Sequence, residues 1–97
     1  MVTDNDASAS QTGTMKLLYF AWLRQKIGKA EETLDVPPHV KEVGQLLDWL
    51  ESLGPNYALA LKERRAVKVA VNQDYVGFTH PVKAGDEVAL FPPVTGG

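Results

Sequence analysis

The sequence predicts one α+β domain in which a mixed β-sheet packs on one main helix. Its 97 residues fit a single domain, since two independent cores would each fall below the usual domain size. Hydrophobic residues make up 44% and charged residues 23%, as in an ordinary globular domain. Strand-like patterns lie in both halves of the sequence and one clear helical pattern lies between them, which indicates a sheet with one covering helix.

A polar leader precedes the predicted domain. Residues 1–14 (MVTDNDASASQTGT) show no periodicity and have too little apolar surface to offset the entropy of ordering, so we expect them to be disordered. They also lack the basic and apolar regions of a signal peptide and the Arg of a transit peptide. The domain is therefore predicted to span residues 15–97, with Met15 as an alternative start.

Two strands and a helical turn are predicted in the first part of the domain. Residues 15–21 are rich in aliphatic and aromatic side chains, which favours a central strand. Residues 22–27 fit one helical turn closed by Gly28. Residues 31–36 alternate in part and stop at Pro37, which suggests a second strand hairpinned to the first.

The main helix is predicted between residues 40 and 53, where apolar side chains recur at helical period. This stripe consists of Val40, Val43, Leu46, Leu47, Leu50 and Leu53. Gly54 and Pro55 end the pattern. We interpret the stripe as the face that covers the sheet rather than a docking face for a partner.

The segment after the main helix is weaker in pattern. Residues 57–65 fit a short helical or irregular stretch. Its basic cluster of Lys62, Arg64 and Arg65 lies beside Glu63, and we interpret it as a solvated face rather than an anion site.

The remaining strands complete the sheet. Valines at 67, 69 and 71 alternate with other residues, which predicts a strand with one buried face. Residues 72–74 resemble a turn, residues 75–76 begin a short return segment, and residues 83–86 form another turn before a last strand at 87–91. This order of elements is typical of a β-grasp domain.

Composition and motifs exclude several classes of function. The absence of Cys excludes disulfides, thiolate zinc sites, iron–sulfur ligation and a cysteine nucleophile, and it fits a cytoplasmic protein. A net charge of −2 argues against binding to nucleic acid or anionic lipid, and no apolar run approaches the ~20 residues of a membrane span. His39 and His80 lie in different loops, so no metal site is predicted. The consecutive acidic pairs at 31–32 and 86–87 point to opposite faces of a strand and form no acid–base pair.

The candidate site is instead the C-terminal tail, formed by Pro92, Pro93, Val94, Thr95, Gly96 and Gly97. Proline fixes φ near −65°, so the two prolines project the tail away from the sheet as an extended rod. The four residues beyond Pro93 reach roughly 13–14 Å at ~3.3–3.6 Å each. Because glycine has no Cβ, the final pair can enter a narrow slot and deliver the α-carboxyl of Gly97 into another protein's active site.

Three stretches resemble a known family. They are GDEVALFPPVTGG at 85–97, VNQ at 71–73 and MKLLYFAWLRQKIG at 15–28. Together they closely resemble the small, sulfur-carrier subunits of molybdopterin synthase, within the ubiquitin-like β-grasp sulfur carriers. The resemblance covers residues 15–97. Carriers for thiamine, cysteine and tRNA thiolation also end in Gly-Gly, but the Phe-Pro-Pro-Val ending favours the molybdopterin branch, and the leader is a departure from the family.

The resemblance implies a chemistry for Gly97. A carboxylate is a poor electrophile at neutral pH, since its pKa lies near 3.3–3.7. The resemblance implies that an activating enzyme uses ATP and Mg²⁺ to make a Gly97 acyl-adenylate, which a sulfur donor converts to a thiocarboxylate. The tail would then enter the large catalytic subunit and donate sulfur to a pterin precursor. This chain would bind no cofactor stably, and the catalytic residues would belong to the large subunit.

The resemblance also implies an apolar docking patch beside the tail, at Phe20, Tyr75 and Phe91. We expect Phe20 and Phe91 in strands and Tyr75 in a turn. Alternative functions stay open from the residues alone: a carrier for thiamine or tRNA thiolation, a protein modifier conjugated to lysines, or an interaction module with an inert tail. The sulfur donor, the assembly as a heterotetramer and the use of molybdenum or tungsten are also open.

Overall fold

A computed structural model of the chain describes residues 13–93. Its sheet contains β1 (Thr14–Tyr19), β2 (Glu31–Asp35), β3 (Lys68–Val71), β4 (Asp74–Val76) and β5 (Glu87–Phe91). The helices are α1 (Trp22–Ile27), α2 (Val43–Glu51) and α3 (Pro55–Leu61), followed by a 3-10 turn at Arg64–Ala66. The strand order is β2-β1-β5-β3-β4; β1 and β5 run parallel, and the other neighbours run antiparallel. This mixed sheet confirms the predicted β-grasp fold.

The first strand ends earlier than predicted. It stops at Tyr19 because Ala21 adopts a φ of 58°, which an extended strand cannot continue through. α1 then follows at once, and it closes as predicted at Gly28, whose φ of 97° lets its N–H donate to the carbonyl of Arg24 at 2.8 Å. β2 pairs antiparallel with β1 as expected, although α1 rather than a tight turn connects them. β1 begins at Thr14, one residue before the predicted start of the domain at Met15.

The main helix is shorter than its sequence pattern. α2 begins at Val43 behind a capping box, in which Glu42 and Gln45 satisfy each other's backbone N–H groups. Its inward face buries Val43, Leu46, Leu47 and Leu50. The prediction that the stripe extends to Leu53 is wrong, because the helix ends before this residue and leaves it 39% exposed.

The segment after α2 forms a second short helix. α3 begins at Pro55 rather than at Tyr57, because proline is favourable at the first position of a helix. α3 packs against both α1 and α2. The helices therefore all lie on one side of the sheet, where they cover the apolar side chains of Leu17, Tyr19, Val69, Val88 and Leu90.

The basic cluster divides between two roles. The Arg64 guanidinium donates to Asp48 at 2.8 Å and to Glu51 at 3.2 Å, so it links the 3-10 turn to α2. Its side chain is only 28% exposed, and the interpretation of a solvated face is wrong for this residue. Lys62 and Arg65 are exposed, in agreement with that interpretation.

The sheet face opposite the helices is uncovered within residues 13–93. Side chains alternate along each strand, so this face carries Leu18 of β1, Ala89 of β5 and Lys68 and Ala70 of β3. Ala70 is only 6% exposed, which corrects the prediction that β3 buries one face alone. It lies between Tyr75 and Ala89 in the register, and these neighbours shield its methyl group.

No helix within residues 13–93 is long and apolar enough to cross a membrane. The same part of the chain contains no group of three or more His, Asp or Glu side chains arranged to hold a metal ion. The backbone carbonyl of His80 accepts a hydrogen bond from the N–H of Val43 at 2.9 Å, at the start of α2.

Candidate functional site

The C-terminal segment leaves the sheet between the ends of two neighbouring strands. On one side, Tyr19 of β1 pairs with Leu90 of β5, and the N–H of Phe20 donates to the Leu90 carbonyl at 3.1 Å. On the other side, Lys68 of β3 is the register partner of Phe91. Pro92 and Pro93 follow directly and are half-buried. The predicted tail residues Val94, Thr95, Gly96 and Gly97, like residues 1–12 of the leader, lie outside the described residues.

The three predicted docking residues lie at this exit. Tyr75 is 81% exposed and Phe20 is 48% exposed, while Phe91 is half-buried. The rings of Tyr75 and Phe91 are in contact, with centroids 5.4 Å apart and planes tilted by 43°. We call the surface formed by Phe20, Tyr75 and Phe91 the aromatic patch. Aromatic side chains are enriched at protein–protein interfaces, so this patch is a candidate docking surface.

Two of the predicted positions need correction. Tyr75 lies in β4, opposite Ala70, and not in a turn; the turn consists of Asn72 and Gln73, whose φ angles are 51° and 75°. Phe20 lies just beyond β1 rather than within it, because the positive φ of Ala21 starts α1 at this point. Phe91 ends β5 as predicted.

A shallow groove runs beside the aromatic patch. Its volume is about 430 Å³, and it is lined by Lys68, Val69, Tyr75, Val76, Gly77 and Phe91. A second groove of about 310 Å³ shares four of these residues and continues toward Arg64, Arg65, Val67 and Phe78. We call the two together the exit groove. Neither part is a deep enclosed pocket, and each is open to solvent.

Comparisons of the sequence with known proteins identify the family of this chain. The model of the ThiS family matches residues 17–97, which include the second half of β1 and all of β2 to β5. The chain belongs to the ThiS family. It is 40% identical over 83 residues to the molybdopterin synthase sulfur carrier subunit of Escherichia coli (strain K12), and the match covers 86% of this chain and 99% of that protein.

Two solved structures share the fold of this ThiS-family chain. Small archaeal modifier protein 1 of Haloferax volcanii superposes with a TM-score of 0.67 at 31% identity, covering 84% of this chain and 99% of that one. A chain in the complex of subunits 1 and 2 of the molybdopterin-converting factor from Helicobacter pylori 26695 superposes with a TM-score of 0.57 at 19% identity, covering 87% and 99%. The latter likeness shows the fold alone.

A half-buried carboxylate, that of Glu32, links three elements of the fold. Both tyrosine hydroxyls, of Tyr19 and Tyr57, donate to Glu32 Oε2 at 2.7 Å, and Lys29 Nζ donates to Oε1 at 3.0 Å. Burial by itself would raise the pKa of Glu32, but these three donors outweigh it and hold the pKa below its ordinary value. Burial and the bond to Glu32 correspondingly raise the pKa of Tyr19. The cluster joins β2, β1 and α3 next to the strand end that carries Phe20.

A buried carboxylate, that of Asp86, fixes the start of β5. Asp86 is only 5% exposed, and it accepts Asn72 Nδ2 at 3.0 Å, the Lys83 N–H at 2.9 Å and Lys83 Nζ at 3.2 Å. Burial would raise the pKa of Asp86, but these donors lower it. Asn72 also makes two hydrogen bonds to the backbone of Glu87. The side-chain Oδ1 of Asn72 accepts the Glu87 N–H at 2.9 Å, and the backbone N–H of Asn72 donates to the Glu87 carbonyl at 2.7 Å. The network therefore fixes the register from which β5 runs to the exit.

Sequence reasoning gave neither Glu32 nor Asp86 a role. Each belongs to a pair of consecutive acidic residues, and such a pair does not indicate which of its two carboxylates turns inward. The signal for Asp86 was present, since the VNQ and GDE stretches that carry the resemblance contain Asn72 and Asp86, which contact each other in the fold.

Proposed function

We propose that the chain is the sulfur-carrier subunit of a molybdopterin synthase, with sulfur carried on the α-carboxyl of Gly97. The observation that supports this most directly is the 40% identity to the Escherichia coli carrier subunit over 99% of that protein. The family model also extends through Gly97. Six relatives at 29–40% identity over most of the chain all bear the name molybdopterin synthase sulfur carrier subunit, which favours the carrier over the modifier.

The absence of Cys narrows where sulfur can be held. With no thiol in the 97 residues, a persulfide on this chain is excluded, so the proposal assigns the sulfur to the C-terminal carboxyl, where it replaces one oxygen. Its carboxylate must first gain a leaving group, because the anion is a poor electrophile. In the proposal, Gly97 attacks the α-phosphate of ATP on an activating enzyme and releases pyrophosphate. A sulfur donor then displaces AMP, which leaves the thiocarboxylate.

The fold provides the reach for the transfer step. β5 is fixed at both ends, and Pro92 and Pro93 stiffen the segment that follows it. From this anchor, the four residues 94–97 can carry the thiocarboxylate roughly 13–14 Å into the large subunit. Two transfers to the pterin precursor would build its dithiolene, and the catalytic residues would be those of the large subunit. Both proteins would act in the cytoplasm.

The aromatic patch is the proposed docking surface for the large subunit. It combines exposed aromatic rings with a position at the base of the tail, so docking there would direct Gly97 into the partner. The Helicobacter pylori complex supports a large subunit as the partner, since it contains subunits 1 and 2 of a molybdopterin-converting factor.

The test is the intact mass of the full chain after incubation with ATP, Mg²⁺, the activating enzyme and a sulfur source. Replacing one oxygen of Gly97 by sulfur adds about 16 Da, and a variant that lacks Gly97 is the matched control and should gain nothing. An unchanged mass, under conditions that charge a known carrier, would refute the proposal. Isopeptide-linked adducts of high mass would point to a modifier instead, and a variant with one residue added after Gly97 that remains fully active would point to an inert tail.

A further inference from the structure

β2 is an edge strand whose outer side has no partner within residues 13–93. It stands at one end of the sheet, and β1 is its neighbour. In an antiparallel pair, alternate residues hydrogen-bond to the neighbouring strand, and the residues between them turn their N–H and C=O groups outward. Ala30 and Val36, which flank β2, bond to the last residue of β1 and to the residue that precedes β1, at 2.8 and 3.1 Å. The backbone groups of Glu31, Thr33 and Asp35 therefore point away from the sheet.

The geometry of β2 leaves this edge open. Edge strands are commonly protected by a proline, a bulge, a covering segment or a very short length. β2 has five residues in continuous register with β1, and Pro37 lies beyond its end. Its three outward residues are exposed, whereas Glu32 and Leu34 turn toward the helices and anchor the strand. The edge is thus a fixed row of unpaired backbone donors and acceptors, and charge is the protection that remains to it.

That charge decides which kind of strand the edge accepts. Glu31 and Asp35 lie on the same side of β2, roughly 13 Å apart at ~3.3 Å per residue. Neither forms an ion pair within residues 13–93, and neither does Lys16, which lies opposite Thr33 on β1. A second copy of the chain, paired antiparallel about Thr33, would place Glu31 opposite Asp35 twice, and like charges directly opposite each other are destabilising. The edge therefore disfavours self-association and favours a strand of opposite charge.

From this geometry we infer that the outer edge of β2 accepts an added strand from a partner protein, and that this strand is basic at alternating positions. Two Lys or Arg residues four positions apart would lie opposite Glu31 and Asp35, and the residue midway between them would lie opposite Thr33. Backbone hydrogen bonds supply the affinity in this mode of binding, and the side chains at alternate positions supply the specificity.

The β2 edge is separate from the surface used in the proposed function. β1 lies between β2 and β5, which carries the tail, and the outward groups of β2 point away from both. No residue of β2 lines the exit groove or belongs to the aromatic patch. A partner bound at this edge would leave the tail accessible, so the inference goes beyond the proposed function and does not depend on it.

The experiment measures binding of a probe peptide, acetyl-Val-Lys-Val-Thr-Val-Lys-Val-amide, to the full chain by NMR titration. The control peptide carries Glu in place of both Lys, and the blocked ends remove terminal charges from both peptides. At ~0.05 M salt the lysine peptide should bind with a Kd below about 1 mM, and the control at least about 10-fold more weakly. At about ten times its Kd, the lysine peptide should slow hydrogen exchange of the Glu31, Thr33 and Asp35 N–H groups at least about 5-fold, because most of the chain is then bound.

Two substitutions separate the edge from the overall charge of the chain. Asp35→Lys and Glu63→Lys each replace an exposed carboxylate and change the net charge equally, but Glu63 lies outside β2. Asp35→Lys should weaken binding of the lysine peptide about 3- to 5-fold at ~0.05 M salt and less than about 2-fold at ~0.5 M. Glu63→Lys should weaken it less than about 1.5-fold at either salt concentration.

Several results would overturn the inference. The first is no saturable binding of the lysine peptide, or equal binding of both peptides. The second is an equal effect of the two substitutions at low salt. Binding without slower exchange at the three N–H groups would place the peptide on another surface, and a dimer of the free chain that protects the same groups would assign the edge to a second copy. These measurements involve neither ATP nor the activating enzyme, so their failure leaves the sulfur-carrier proposal to its own test by intact mass.

Discussion

The Glu32 cluster gives the sharpest test of how the fold supports the exit. Replacing Glu32 with Ala removes the acceptor of two tyrosine hydroxyls and of the Lys29 ammonium group at once. Tyr19 is 1% exposed, so its hydroxyl would lose its protein acceptor and have little access to water. Tyr57 is half-buried and Lys29 is 45% exposed, so both can turn to solvent.

The magnitude follows from these exposures. Leaving the buried hydroxyl of Tyr19 unsatisfied costs about 1–3 kcal/mol. Losing the bond from Tyr57 adds roughly 0.5–1.5 kcal/mol, and the contact of Lys29 adds little because its ammonium group is exposed to water. The free energy of unfolding should therefore fall by about 2–4 kcal/mol. At ~4–8 °C per kcal/mol for a domain of this size, the Tm should fall by at least about 8 °C.

The assay is thermal and urea unfolding at pH 7, with Glu31→Ala as the matched control. Glu31 is the neighbouring residue of the same strand, is exposed, and belongs to the same predicted acidic pair. Its replacement should change the Tm by less than about 3 °C. If Glu32→Ala is no less stable than Glu31→Ala, the hydrogen bonds to Glu32 do not stabilise the fold as argued.

The Glu32→Gln variant tests how the stabilisation by Glu32 depends on pH. The pKa of Glu32 is lower in the folded state than its ordinary value of about 4.3, so its stabilising contribution is present above that pH and is lost as the pH falls through the folded pKa. Glutamine cannot titrate, so the difference in stability between wild type and Glu32→Gln should shrink on acidification from pH 7 toward pH 3. A difference that stays constant over this range would refute the assignment.

Three further predictions concern the exit and its supports. Phe91→Ala should weaken binding to the large subunit about 10- to 30-fold in titration calorimetry, whereas Leu59→Ala, which removes an exposed side chain of α3, should change it less than about 2-fold. Asp86→Ala removes the acceptor of Asn72, and the free energy of unfolding by urea at pH 7 should fall by about 2–3 kcal/mol. The pKa of Asp86 in the folded state is lower than its ordinary value of about 3.9. The difference in stability between wild type and Asp86→Ala should therefore shrink as the pH falls below about 3.9 and through the folded pKa. Ala21→Gly should raise the Tm, since relief of ~1–3 kcal/mol of backbone strain at φ 58° exceeds the ~0.5–1 kcal/mol entropic cost of glycine; an unchanged or lower Tm would contradict the strain.

Local patterns were sufficient for most of the fold. The helical period from Val43 to Leu50 predicted α2, and Gly28 marked the end of α1 because its left-handed conformation favours glycine. Patterns were weakest at the boundaries. The end of β1 depends on a positive φ at Ala21, which the residue type does not indicate, since alanine rarely adopts it.

The sequence alone determined the class of domain, the absence of a thiol and the Pro-Pro and Gly-Gly arrangement on which the proposed sulfur chemistry depends, because each is a property of composition or of neighbouring residues. Only the tertiary structure decided which side chains meet. The contact of Tyr75 with Phe91 and the position of Lys68 opposite Phe91 arise from the order and register of the strands. The two hydrogen bonds to Glu32 depend in addition on α3, which carries Tyr57. These contacts join residues that are far apart in the chain, and local sequence periodicity does not show which distant residues come into contact.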